Sequence, residues 1–149
     1  MQNTGILGRI VLLLCALHLC ASLQAANLAL GRPVTSSSVE SGALPATAAV
    51  DGGVATRWGS AFADPQWLQV DLGGLCAVDR VVLRWETASA KAYELQISDD
   101  GQTWTSLYAT QAGDGGVDDV VVAGSGRYVR MVGMLRANQW GYSLFEFEV

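Results

Sequence analysis

Gln66-Trp67-Leu68-Gln69-Val70-Asp71-Leu72 alternates apolar and polar residues: Leu68, Val70 and Leu72 fall on one side, Gln69 and Asp71 on the other. Successive side chains of an extended chain point to opposite faces, so this stretch predicts a strand with one face against a core. The pattern recurs on both sides of it. Tyr93, Leu95 and Ile97 alternate through residues 92–98, and VVLRW (81–85) and RYVRMV (127–132) are β-branched or aromatic runs. Residues 117–122 and 144–149 add two more runs. Turn residues cluster between them at Gly73-Gly74, Asp99-Asp100-Gly101, residues 113–116 and Gly124-Ser125-Gly126. No amphipathic helix longer than two turns is evident. Short strands at this spacing predict an all-β antiparallel sandwich or barrel of the jelly-roll sort, in one domain without internal repeats.

Residues 1–26 precede this pattern. A polar start carrying Arg9, an apolar run over residues 10–19 and small residues after it predict a signal peptide, cleaved near Ala25 or Ala26, and hence a secreted, extracellular protein. The apolar run is shorter than the ~20 residues that span a bilayer; a retained anchor is the alternative. Residues 27–149 are enough for one domain with its own core. The formal charge of −5 becomes more negative once Arg9 is removed. An acidic domain without a basic stripe argues against nucleic acid and anionic membrane as partners. Cys15 and Cys20 lie in the leader, so Cys76 is left alone and no intramolecular disulfide can form. Between Leu75 and Ala77 it reads as a small buried hydrophobe. The single histidine, His18, is also in the leader.

Residues 49–58 read AVDGGVATRW. Asp51 supplies a carboxylate, Gly52 and Gly53 let the backbone bend and expose its carbonyls, and Thr56 adds a hydroxyl. Such a loop suits a hard cation, which takes oxygen ligands. The same residues describe an ordinary Asp-Gly turn equally well.

In order along the chain, NLALGRPVTSSS, AVDGGVATRW, DPQWLQVDLG, VDRVVLRWE, YELQISDDGQTW, GRYVRM and WGYSLFEFEV resemble the discoidin domains, also called coagulation-factor C-type domains. Within these the chain is most similar to the family 32 carbohydrate-binding modules, including those appended to bacterial chitosanases and glucanases. The resemblance covers residues 27–149 and implies an eight-stranded, galactose-binding-like β-sandwich with its termini side by side. It also implies one structural calcium. Carried over position by position, the carbonyls of Ala48, Gly53 and Phe145, the carboxylates of Asp51 and Glu146, and the carbonyl and hydroxyl of Thr56 would surround it. That is within the six to eight oxygens calcium takes. Relatives often carry Asn where Gly53 stands, a change to which a carbonyl ligand is indifferent.

A sugar site on such a fold needs an aromatic face to stack on and directed polar groups, both on loops. Phe62, in a loop ending Asp64-Pro65, and Trp140, between two strand runs, are the stacking candidates. Trp58, Trp67, Trp85 and Trp104 fall at strand-like or motif positions and read as core. Glu40, Arg57, Glu86 and Lys91 are the polar candidates. The resemblance implies that the positions of Glu40, Arg57, Phe62, Glu86 and the aromatic near Trp140 line the ligand site in chitosan-binding members. Carboxylates there suit the ammonium of glucosamine, or the hydroxyls of a neutral β-glucan. Arg57 and Glu86 could equally be a plain salt bridge. Galactose-binding members rely on a histidine, which residues 27–149 lack.

A glycosidase would need two carboxylates flanking a bond. Asp51 and Glu146 are assigned to the cation, and a shallow loop site offers Glu40 and Glu86 no burial to shift either pKa. The expectation is a non-catalytic module that binds a polysaccharide, chitosan or β-glucan, with calcium as a structural ion. The other reading is a cell-surface adhesion or phospholipid- or protein-binding domain with Phe62 and Trp140 as apolar spikes, though the acidic charge opposes anionic lipid. Whether the chain acts alone or beside a glycoside hydrolase is open on these residues.

Overall fold

The computed structural model, which describes residues 26–149, carries the strand at Gln66 well past Leu72. The expected signal peptide, Ala26 excepted, lies outside the described residues. Among the described residues seven strands form: β1 (Val34–Ser36), β2 (Trp58–Gly59), β3 (Gln66–Trp85), β4 (Ala90–Ser98), β5 (Thr105–Thr110), β6 (Val117–Arg136) and β7 (Ser143–Glu148). Among the described residues helix is limited to a 3₁₀ turn at Ala46–Ala49, and no helix is long and apolar enough to cross a membrane.

Every strand pairing is antiparallel. The hydrogen-bonded order is β2-β7-β3-β6-β4-β5, with β1 added to β3. The count is therefore seven where eight were expected, because β3 and β6 each run 20 residues and serve both layers of the sandwich. The first half of β3 pairs β1 and the second half of β6, which in turn pairs β4. The second half of β3 pairs the first half of β6 and β7. Register shifts between Asp71/Cys76 and Val78/Arg80 mark where the β3–β6 ribbon passes from one layer to the other.

Gly73-Gly74 and Gly124-Ser125-Gly126, expected as turns, lie in this crossing. Gly73 takes a φ of +86°, which bends the strand at a bulge without ending it. At Gly126 a Cβ would fall 2.6 Å from the Ile97 side chain, so glycine is needed there for close packing. The other two expected turns do separate strands, at residues 99–101 and 113–116.

The core follows the alternation. Leu68, Val70 and Leu72 of β3, Tyr93, Leu95 and Ile97 of β4, and Val129 and Met131 of β6 are buried together with Leu144 and Phe147 of β7. Trp58 and Trp85 are buried as expected. Trp67 and Trp104 are not core residues: both are half-buried, and Trp104 lies under the Arg130 guanidinium, 3.8 Å from its ring centroid. The same polar face gives Trp67 its partial exposure, since it alternates with Leu68. Cys76 is a free, half-buried thiol packed against the core's edge. The two ends of the fold lie side by side, with the Leu28 N–H donating to the Val149 carbonyl at 2.6 Å.

Candidate functional site

Four connections meet at one end of the sandwich: the segment after β1, the β2–β3 loop, the turn after β3 and the β6–β7 loop. Backbone hydrogen bonds fix them to one another. The Glu40 N–H donates to the Gly59 carbonyl (2.7 Å), Glu86 N–H to the Ser143 carbonyl (3.0 Å) and Ser143 N–H to the Ala88 carbonyl (2.7 Å). Between them is a cleft of about 340 Å³ lined by Glu40, Arg57, Phe62, Glu86 and Trp140. Five of the six residues expected to face a sugar therefore come together. Lys91 does not join them: it lies on β4 and reaches the Gly113 carbonyl at 3.4 Å. Proximity in sequence to Glu86 misled here, because the turn after β3 sends the chain back along β4.

Phe62 and Trp140 are 46% and 49% exposed, and their rings meet edge to face with centroids 5.6 Å apart and planes at 76°. Arg57 Nη1 donates to Ser143 Oγ at 2.7 Å, and that hydroxyl donates to the Trp58 carbonyl at 2.8 Å. Ion pairs among the described residues are Arg80–Asp119, Arg84–Glu148, Arg127–Asp71 and Arg136–Asp64, so Arg57 and Glu86 are not closed on each other. Burial acts to raise the Glu86 carboxyl, but the Ala88 and Thr87 N–H groups and then the Arg57 charge hold it below its ordinary value. Two carboxylates against one guanidinium leave the cleft acidic. Ser143, Tyr142 and Thr87 also line it; the motif containing Tyr142 and Ser143 was recognisable, but their roles depend on contacts across the fold.

Beside the cleft, the loop before Arg57 meets β7. Asp51 Oδ1 accepts from the Gly53 N–H (2.7 Å) and Thr56 Oγ1 (2.9 Å). A Cβ at Gly53 would lie 2.2 Å from Thr56 Oγ1 and 2.7 Å from Asp51 Oδ1, so in this arrangement the missing side chain matters. Glu146 is 5% exposed; its Oε1 accepts from the Gly52 N–H at 2.8 Å, while its Oε2 is buried without a partner. Burial first, and then the neighbouring Asp51 carboxylate, push the Glu146 carboxyl up to about 7. A buried oxygen without a donor, facing a second carboxylate, is what a bound cation would relieve. Among the described residues no three His, Cys, Asp or Glu side chains cluster, so an ion would draw on carbonyls and the Thr56 hydroxyl as well. Ala48 is buried in the 3₁₀ turn and Phe145 precedes Glu146 on β7, consistent with carbonyls from both sides.

A β-sandwich with an aromatic and acidic cleft among its end loops has the form of a binding module. The chain belongs to the F5/8 type C domain family, whose family model matches residues 33–147. Chitosan-binding module 1 from the chitosanase/glucanase of Paenibacillus sp. IK-5 is 46% identical, with a TM-score of 0.80, over 83% of this chain and 97% of that one. Module 2 of the same enzyme, solved in complex with chitotriose, is 44% identical with a TM-score of 0.81, over 82% and 98%. Polysaccharide lyase 8 family protein HylA of Enterococcus faecalis is 35% identical over 99 residues, 60% of this chain. The chain spans only 7% of that curated relative's length.

Proposed function

We propose that this protein is a secreted, non-catalytic carbohydrate-binding module that holds a polysaccharide, with chitosan or glucosamine oligomers favoured over neutral β-glucan. The observation that carries the reading is the convergence of Glu40, Arg57, Phe62, Glu86 and Trp140 on one cleft. An exposed aromatic pair offers a face for a sugar ring. Glu40 and Glu86 can accept charge-assisted hydrogen bonds from a sugar ammonium, and Arg57 can donate to hydroxyls. The chitotriose complex of a 44% identical module supports the same ligand class. Against catalysis, Glu86 is held in its ionised form, the wrong direction for a general acid.

Calcium belongs to the same proposal. Asp51, Glu146 and Thr56, with carbonyls of Ala48, Gly53 and Phe145, would hold it, and its role would be to tie the loop before Arg57 to β7. The unpartnered Glu146 Oε2 supports that fit. The residues before Asn27 support export, and the acidic charge continues to oppose anionic lipid.

A glycan array that includes soluble chitosan and β-1,3-glucan oligomers tests the function directly. Signal on chitosan oligomers is expected. Retention on liposomes with no glycan bound would overturn the reading in favour of lipid adhesion.

A further inference from the structure

Phe62 and Trp140 stand on separate connections, and each residue is about half exposed. Rings on free loops lose freedom when they bind, which weakens affinity, so a platform gains by being held in advance. We infer that Arg136 and Asp64 form a strap fixing the Trp140 loop against the Phe62 loop, which makes Arg136 a positioning residue for the cleft. The inference rests on the cleft being the sugar site.

The strap runs from the platform into the core. Arg136, at the end of β6, directs Nε to Asp64 Oδ2 at 3.3 Å. Its Nη1 donates to the carbonyls of Gln139 (3.2 Å) and Trp140 (3.3 Å). Asp64, two residues after Phe62, accepts the Tyr142 hydroxyl on its other oxygen. Tyr142 is fully buried, and its N–H donates to Ser60 Oγ at 2.8 Å while the Ser60 N–H donates to the Tyr142 carbonyl at 2.9 Å. Burial and then Asp64 push the Tyr142 phenol up, so it stays a donor. At Gly141 a Cβ would fall 2.5 Å from the Ser60 carbonyl, showing how closely the two loops are pressed.

From the far side, Asn138 Oδ1 accepts the Trp140 N–H (3.0 Å) and its Nδ2 donates to the Thr87 carbonyl (2.8 Å). Arg136 and Asp64 are 25% and 26% exposed, and as an isolated surface pair they would contribute little. What sets them apart is the planar guanidinium, which spans acceptors on both loops; a lysine ammonium carries the same charge without that fork.

The test compares wild type with Arg136→Ala, Arg136→Lys and Asp64→Asn. The ¹⁵N heteronuclear NOE of the Trp140 indole N–H is measured without ligand, and chitotriose affinity by titration calorimetry. Arg136→Ala is expected to lower the Trp140 NOE and weaken chitotriose by ~5-fold, with the buried Trp58 indole and the Tm nearly unchanged. Asp64→Asn cuts the link from the other loop and is expected to do the same. Arg136→Lys is expected to resemble Arg136→Ala. A wild-type NOE at Trp140 in both Arg136→Ala and Asp64→Asn, or full recovery in Arg136→Lys, overturns the strap. Failure of wild type to bind any glycan would refute the cleft reading, and the ligand-free NOE comparison would still decide the strap.

Discussion

Replacing Glu146 by Gln should stabilise the metal-free protein and remove most of its gain from calcium. Glu146 is 5% exposed, one of its oxygens has no partner, and its carboxyl is raised from the ordinary 4.5 to about 7. A carboxyl raised on folding favours the fold while protonated. Its contribution is fully present below about 4.5 and is lost as pH rises through about 7. Above that range the buried charge costs the metal-free fold about 3 kcal/mol, at about 1.4 kcal/mol per pH unit. Glutamine keeps the acceptor for the Gly52 N–H, removes the charge and offers Asp51 a donor. Metal-free Glu146→Gln at pH 8 should therefore melt about 10 °C above metal-free wild type for a domain of this size. With calcium the gap closes. Wild type should gain about 2.7 kcal/mol when calcium is a hundredfold above its Kd, whereas Glu146→Gln, short of one carboxylate, should gain little. Differential scanning calorimetry on chelated and calcium-loaded samples of both proteins measures all four values. A lower Tm for metal-free Glu146→Gln at pH 8, or equal calcium gains in the two proteins, would refute the reasoning.

Trp140→Ala removes an exposed aromatic residue from the lining of the cleft and should weaken chitotriose by about 30-fold, the scale of an aromatic anchor. Its Tm should stay within about 2 °C, and undiminished binding would show that another surface holds the sugar. Leu95→Ala opens a hole in the fully buried core and should cost about 2–5 kcal/mol in urea unfolding. Arg127 holds the Asp71 carboxyl below its ordinary 3.8 through a two-pronged pair at 2.8 and 2.7 Å. That contribution is present above about 3.8 and lost as pH falls, so Arg127→Ala should flatten the acid side of the stability curve, and added salt should shrink the difference. An unchanged acid limb would count against the pair.

The strand pattern was legible because the two periodic signals were strong: Leu68-Val70-Leu72 and Tyr93-Leu95-Ile97 each mark one buried face. What the residues did not disclose was continuity. Gly73-Gly74 looks like a turn in isolation; only the pairing of Cys76 with Gly126 and of Val78 with Gly124 shows a strand bending across it. β5 was missed because TSLYAT is mostly half-buried or exposed and lacks the clean alternation of its neighbour β4. Trp67 and Trp104 were assigned to the core from their aromatic character, but Trp67 sits on the polar face of β3 and Trp104 is covered by an arginine that no local pattern could place there. In the cleft, Phe62 and Trp140 were readable as loop aromatics. Glu40, Arg57 and Glu86 came through likeness to a family, and Lys91 was lost where sequence nearness failed to match nearness in space. Arg136 and Asp64 carried no local signal, since their partners lie on other loops.

The ribbon of β3 against β6 also governs how the chain finds this structure. Its innermost pair, Arg84 with Val117, closes only after β4 and β5 have been looped out, and its outermost pair, Gln66 with Gly133, closes a still longer loop. Loop closure has to precede the contacts that reward it, so a topology of this kind folds on the scale of milliseconds to seconds, slower than helical domains of equal size. β7, the last strand, pairs with the second half of β3 and with β2, so the Asp51 loop and Glu146 meet only when pairings of comparable span have closed. A cation can then find its full set of oxygens only late, so it would act chiefly by slowing unfolding and hardly at all on the rate of folding.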